Sequence, residues 1–198
     1  MQTEIEVKFV DIDSVSARAC LREIGAVREY PERLMRRMVF DYPDKRLNSV
    51  GGWVRVRDEG DHITLSYKQV NSRTLHGTEE ITLTVDTFES AGAFLQAIGM
   101  QMKSSQETKR EKWMYGDVEI TIDTWPWIPT FVEIEGATEE VVMQTAQDLG
   151  FDWSKALYGS VEPVYQMHYD VTEEEINHWE SITFVPTPDW LLARKKYA

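Results

Sequence analysis

Glu4, Glu6 and Lys8 stand at alternate positions in the opening stretch M-Q-T-E-I-E-V-K-F-V, with Ile5, Val7 and Phe9 between and after them. A strand sends successive side chains to opposite faces, so this spacing gathers three charges on one face and three hydrophobes on the other. The alternation returns at Arg55 and Arg57, at Thr64, Ser66 and Lys68, at Glu119, Thr121 and Asp123, and at Glu133 and Glu135. One such strand ordinarily turns its polar face to water. Repetition of the rule across the chain predicts the inverse arrangement, with apolar faces packed outward on helices and polar faces lining a shared interior. Carboxylates suit a hard divalent metal, and Arg with Lys suits phosphate oxygens, so the mixture describes a pocket for a metal-bound polyphosphate. Trp53, Val54 and Val56 are read as the apolar partners of Arg55 and Arg57.

Taken in order, these residues resemble the CYTH superfamily, named for adenylate cyclase and thiamine triphosphatase members and also called triphosphate tunnel metalloenzymes. Its E-x-E-x-K is matched by Glu4, Glu6 and Lys8, and the likeness continues through R-x-R at Arg55 and Arg57, Lys68, and E-E-I at Glu79 to Ile81. Arg110, Asp123, E-I-E at Glu133 to Glu135 and Tyr158 complete it. The resemblance implies an α+β fold: a closed, mainly antiparallel barrel of about eight strands forming a polar tunnel, with helices packed outside. It implies Lys8, Glu4 and Glu6 as catalytic residues, and Lys8, Arg37, Arg55, Arg57, Lys68, Arg110 and Tyr158 around the substrate. It also implies Glu4, Glu6, Asp123, Glu133 and Glu135 as ligands of Mg²⁺ or Mn²⁺.

Relatives often carry D-x-Y-F-D on the second strand. Matching Phe40 and Asp41 to its end puts Arg37 at the acidic position and Val39 at the tyrosine, so no general base is implied there. K-R-E-K-W at 109–113 is similar to the family's K-x-R-x-x-Y, with Arg110 and Trp113 in place; Thr108 holds the lysine position, and Lys109 is one residue out of phase, on the other face. The resemblance implies hydrolysis of a triphosphate, with adenylate cyclisation as the alternative and a non-catalytic polyphosphate-binding module third. The cyclase subgroup places His-Phe before E-x-E-x-K, where only Met1 to Thr3 stand here; this favours hydrolysis, with inorganic triphosphate ahead of thiamine triphosphate or a nucleotide.

The elements that must position these residues follow from the rest of the chain. With 198 residues, 42% hydrophobic and 28% charged, it suits one globular core, read as a tunnel domain over 1–170 and a helical extension over 171–198 packed on it. A net charge of −13 argues against general nucleic-acid binding, which needs a broad basic surface. No run approaches the roughly 20 apolar residues of a membrane span, so the expectation is a cytoplasmic protein, monomer or homodimer. The single Cys20 excludes an internal disulfide and reads as a structural thiol.

Helical spacing predicts helices over Asp11 to Gly25 (capped by Asp11 or Asp13), Asp86 to Gly99 (capped by Asp86 with Glu89) and Thr138 to Gly150 (capped by Thr138). Their alike endings I-G-A, I-G-M and L-G-F read as a weak two-fold repeat of strands and helices, or as convergent capping. Arg36 and Arg37 fall on opposite faces of a strand between Tyr30 and Tyr42, so one points inward. D-T-W-P-W-I-P-T at 123–130 reads as a packed loop closing one barrel end, T-E-E-E at 172–175 as a capping box opening a helix that bears Ile176 and Trp179 and is ended by Pro186 and Pro188, and Arg194 to Lys196 as a solvated tail.

Overall fold

The computed structural model describes residues 1–196; the last two residues of the expected extension, 197 and 198, lie outside the described residues. Its strands are β1 (Gln2–Phe9), β2 (Val27–Asp41), β3 (Gly52–Asp58), β4 (Ile63–Val70), β5 (Thr78–Val85), β6 (Gln101–Tyr115), β7 (Val118–Thr124) and β8 (Phe131–Gly136). They follow the order β2-β3-β4-β5-β1-β8-β7-β6, and β2 pairs with β6 to close the sheet into a barrel with every wall pairing antiparallel.

The helices α1 (Ser14–Glu23), α2 (Phe88–Ala97) and α3 (Glu139–Asp148) lie outside the barrel. Val7, Phe9, Ile120, Ile122, Val132 and Ile134 face outward onto Ala17 and Leu21 of α1 and Val142 and Ala146 of α3. Phe40 and Val56 face outward onto Ala91 and Leu95 of α2. The apolar face of each strand is therefore the outer one, and the core lies between barrel and helices rather than inside the barrel. Asp13, Thr87 and Thr138 cap the three helices by accepting backbone N–H groups. The second cap differs from the expected Asp86, because α2 begins at Phe88 and the Thr87 hydroxyl is the group that reaches Ser90 N. Each helix ends on a glycine in the left-handed region, Gly25, Gly99 and Gly150, where a side chain would be strained.

The repeat read from the helix endings is present in the topology. β1-α1-β2-β3-β4 is followed by β5-α2-β6-β7-β8 in the same order of element types. The pairings β2–β3, β3–β4 and β4–β5 of the first half recur as β6–β7, β7–β8 and β8–β1 in the second.

Beyond α3 the chain forms α4 (Glu162–His168), α5 (Glu173–Ile176), β9 (Ser181–Ile182) and α6 (Asp189–Leu192). It fills two places in the wall: Leu157 bridges Lys8 beyond the reach of β5, and β9 pairs in parallel with Ser105 and Gln106 of β6 beyond the reach of β7. Tyr165, Tyr169, Ile176, Ile182 and Leu191 pack with Trp125, Ile128 and Phe131 of the barrel, and the Tyr165 and Tyr169 hydroxyls donate to the carbonyls of Pro126 and Trp127. The capping box of Thr172 and Glu175 is present, but α5 lasts one turn and Pro188 starts α6 instead of ending the preceding helix. Arg194 is not free in solvent as expected: it donates to both carboxylate oxygens of Glu175. No helix among the described residues is long and apolar enough to cross a membrane.

Phe40, fully buried beneath α2, carries the prediction for this architecture. Phe40→Ala should cost about 3–5 kcal/mol in urea unfolding, whereas Val15→Ala on the exposed face of α1 should stay within about 0.5 kcal/mol; comparable losses for both would contradict a core between barrel and helices.

Candidate functional site

Strand parity brings Glu4, Glu6, Lys8, Arg37, Arg55, Arg57, Lys68, Arg110, Glu133 and Glu135 to one cavity of about 620 Å³. Burying this many charges is costly unless each is paired, and the pairing is explicit. The three N–H groups of Lys8 are used by Glu6 at 3.2 Å, Glu133 at 2.9 Å and the Gly159 carbonyl at 2.6 Å. An ammonium has three donors, so none is left for a phosphate in this arrangement, and Lys8 orients carboxylates. Lys68 reaches Glu4 at 2.8 Å and Glu80 at 3.2 Å, and Arg55 reaches Glu80 at 3.1 Å. Arg57 donates to Glu59, which also accepts from Thr64.

Two expected site residues lie elsewhere. Asp123 is fully buried behind Arg110, which takes both carboxylate oxygens at 2.7 and 2.9 Å, while Thr121 donates a further bond; it does not line the cavity. Tyr158 packs against the outer core cluster, because the turn at Gly159 sends its ring away from the tunnel.

The cavity also holds residues the sequence reading passed over. Trp53 shares the parity of Arg55 and so faces inward with it, not outward with Val54. Glu80 and Glu119 line the site on the polar faces of β5 and β7, a signal their alternation already carried. Trp125 comes from the aromatic loop, and Ser160, Val161, Glu162, Glu173, Glu174 and Asn177 come from the segment after α3, where no alternation marks them.

Arg37 is the exception among the inward cations. It is 6% exposed, donates to Thr108 at 2.7 Å and stacks over Trp125 at 4.6 Å, yet among the described residues no carboxylate pairs with it and its Nε is unpartnered. Burial and the nearby Arg57, Arg55 and Arg110 push its pKa well below the usual arginine range. Burial and Arg57 likewise push Arg55 down to about 10. On the cationic wall, Arg37 is therefore the charge that lacks an anion among the described residues.

The opposite wall has the converse need. Burial, then Glu6, Glu133 and Glu119, push Glu135 up to about 7, and no cation lies within ion-pair distance of it among the described residues. Glu4 is pushed up to about 9 by burial and by its hydrogen bond to Glu80, with Glu6 adding repulsion. Glu80, despite its burial, is held low by that bond, Lys68 and Arg55. Burial alone would raise Glu133, but Lys8 and Arg110 outweigh it and keep it ionised.

A CYTH domain profile matches residues 2–157. The chain belongs to the CYTH family. Among solved structures, PH1012 of Pyrococcus horikoshii OT3 superposes with a TM-score of 0.68 at 17% identity, covering 81% of this chain and 98% of that one. A candidate adenylate cyclase from Vibrio parahaemolyticus gives 0.72 at 16% identity, covering 83% and 98%. HpAC1 of Hippeastrum, a candidate adenylyl cyclase described as having a dominant triphosphatase activity, gives 0.59 at 15% identity, covering 84% and 96%. No curated protein matches significantly. At these identities the CYTH likeness shows the barrel, and the charges of this chain must speak for its own chemistry.

Glu135 yields a prediction with a definite sign. Its folded pKa of about 7 exceeds the ordinary 4.5, so the folded protein holds an extra proton between those values and loses stability as pH rises through them. Thermal midpoints of metal-free protein should fall between pH 5 and pH 8, with a smaller fall in Glu135→Gln. Mg²⁺ or Mn²⁺ should raise the midpoint more at pH 8, because ion and proton compete for the same carboxylate; identical pH slopes in the two proteins would rule this out.

Proposed function

We propose that this CYTH protein is a metal-dependent hydrolase of a triphosphate-containing substrate bound in the barrel tunnel. The observation that carries the reading is the pair of charges on facing walls that are unmet among the described residues, a buried guanidinium without an anion at Arg37 and a part-buried carboxylate without a cation at Glu135. A ligand that is itself a phosphate chain bound to a divalent cation supplies both missing partners at once. The triphosphatase activity described for HpAC1 supports the same choice.

The donor set fits a divalent ion of the Mg²⁺ or Mn²⁺ kind. Among the described residues no group of three or more His, Cys, Asp or Glu could hold a metal by itself, and Mg²⁺ favours one or two carboxylates completed by substrate oxygens and water. Glu135, with Glu6, Glu4 and Glu133 near, would hold it. When bound, such an ion neutralises phosphate oxygens and lowers the pKa of water.

The side chains divide the remaining work. Arg37, Arg55 and Arg57 offer guanidinium forks to phosphate oxygens, a geometry that matches them in two places at once. Lys8 and Arg110 hold Glu6, Glu133 and Asp123 in fixed orientation, so no reorganisation is needed as charge moves to the leaving group. Water attacks the terminal phosphorus as the bridging P–O bond breaks; the electron pair leaves on the diphosphate oxygen, and the products are orthophosphate and the shortened phosphate.

Cyclisation of ATP is the second reading, favoured by the inward rings of Trp53, Trp125 and Phe131, which suit a base. Incubation with Mg²⁺ or Mn²⁺ and, separately, inorganic triphosphate, thiamine triphosphate and ATP should release orthophosphate. Cyclic AMP with pyrophosphate from ATP alone would establish the cyclase, and binding without turnover would establish a binding module. Arg37→Ala should lower kcat/KM by about 10²–10³, the usual effect of losing a positioned charge donor; unchanged kinetics would remove Arg37 from the site.

A further inference from the structure

The chamber carries, beside the charged groups described above, the side chains of Trp53, Val39, Val70, Phe131, Trp125 and Val161. They are interleaved with the charges, Trp53 opposite Lys68, Val39 opposite Arg55 and Trp125 against Arg37. At the end where Glu162 meets Val39 and Val161 stands a rim whose acids, Glu162, Glu173 and Glu174, all come from the segment after α3. Lys103 is the one cation lining this end among the described residues, and burial lowers its pKa. The CYTH match stops at residue 157, and the solved relatives are almost wholly covered by 81–84% of this chain. The rim acids are therefore an addition to the stretch that the CYTH profile matches.

That addition is joined to the chamber. Leu157 pairs with the Lys8 backbone in both directions, at 2.9 and 3.0 Å, and two residues on, the Gly159 carbonyl takes a proton of the Lys8 side chain. Glu162 has burial pushing its pKa up, accepts a bond from the Ser160 hydroxyl, and has no ion-pair partner among the described residues. Glu173 is paired with Arg73 and is exposed, as is Glu174, so their field is partly screened.

Resting on the reading of the chamber as a triphosphate site, we propose that residues 160–177 set the maximum length of the phosphate chain this tunnel accepts. The Nε groups of Arg37 and Arg55, unpartnered among the described residues, are the donors that would hold the phosphate chain in the chamber. A fourth phosphoryl group would extend toward the rim, where Lys103 is the one lining cation among the described residues and Glu162, Glu173 and Glu174 oppose it; a neutral organic group in the same place meets no such repulsion. Rejection by like charge is an effective source of specificity even where the attractive contacts are shared.

Equilibrium binding of inorganic triphosphate and inorganic tetraphosphate, with orthophosphate release measured alongside, tests the proposal. The unaltered protein should prefer triphosphate by about tenfold or more, and raising salt should narrow the gap because the rim is partly exposed. Glu162→Gln combined with Glu173→Gln and Glu174→Gln should bring the tetraphosphate-to-triphosphate affinity ratio about tenfold closer to one. The exposed pair Glu173→Gln and Glu174→Gln, which leaves Glu162 intact, should move the ratio part of the way. A ratio unchanged in both variants overturns the proposal, and leaves the hydrolase standing if orthophosphate is still released. A shifted ratio with no orthophosphate release supports the length limit and removes the hydrolase. Binding of neither anion by the unaltered protein overturns both.

Discussion

Charge buried inside a closed sheet is the constraint on which the rest of this structure depends. Taking an ion out of water costs several kcal/mol even after the protein relaxes, so an inward polar face survives only if each charge meets a partner. The chain meets this with a chained network rather than isolated pairs. Arg55 joins Glu80, Glu80 joins Lys68 and Glu4, while Arg110 ties Asp123 to Glu133 and Glu133 to Lys8. Such a network holds its members rigid, but the hydrophobic free energy must then come from elsewhere, and it comes from the shell between the barrel and α1, α2 and α3.

The topological repeat explains how the two signs of charge come to face each other. β2, β3 and β4 of the first half bring Arg37, Arg55, Arg57 and Lys68; their counterparts β7 and β8 of the second bring Glu119, Asp123, Glu133 and Glu135. One half-barrel is thus predominantly cationic inside and the other predominantly acidic. Folding the halves together sets a cationic wall opposite a carboxylate wall, which is the polarity that a metal on one side of a phosphate chain requires.

Strand parity was legible because its period is two and admits no compromise: a residue shares the face of its neighbours two away or it does not. Glu4, Glu6, Lys8, Arg55, Arg57, Lys68, Glu133 and Glu135 were readable on that ground, as was the choice of one arginine between Arg36 and Arg37. Parity says nothing about depth, so Asp123 was assigned the cavity although Arg110 lies between it and the open space. It also says nothing of segments without strands. Tyr158, Val161, Glu162 and Glu174 sit in a stretch whose course is set by tertiary packing of Tyr165 and Tyr169 against the aromatic loop, and no local pattern encodes that docking.

Arg37 shows why the tunnel is not merely a well-satisfied polar core. A guanidinium at this depth without a carboxylate is destabilising, and Trp125 and Thr108 offset only part of the cost, since a ring face and a hydroxyl carry no full negative charge. A carboxylate placed beside it would have removed the penalty and filled the anion position. The surrounding network tolerates the deficit because β2 is held by β6 from Val27 to Asp41 and by β3 from Arg36 to Phe40. What the fold loses in stability at this position it holds as affinity for an anion, and Glu135 keeps the complementary deficit for a cation across the same space.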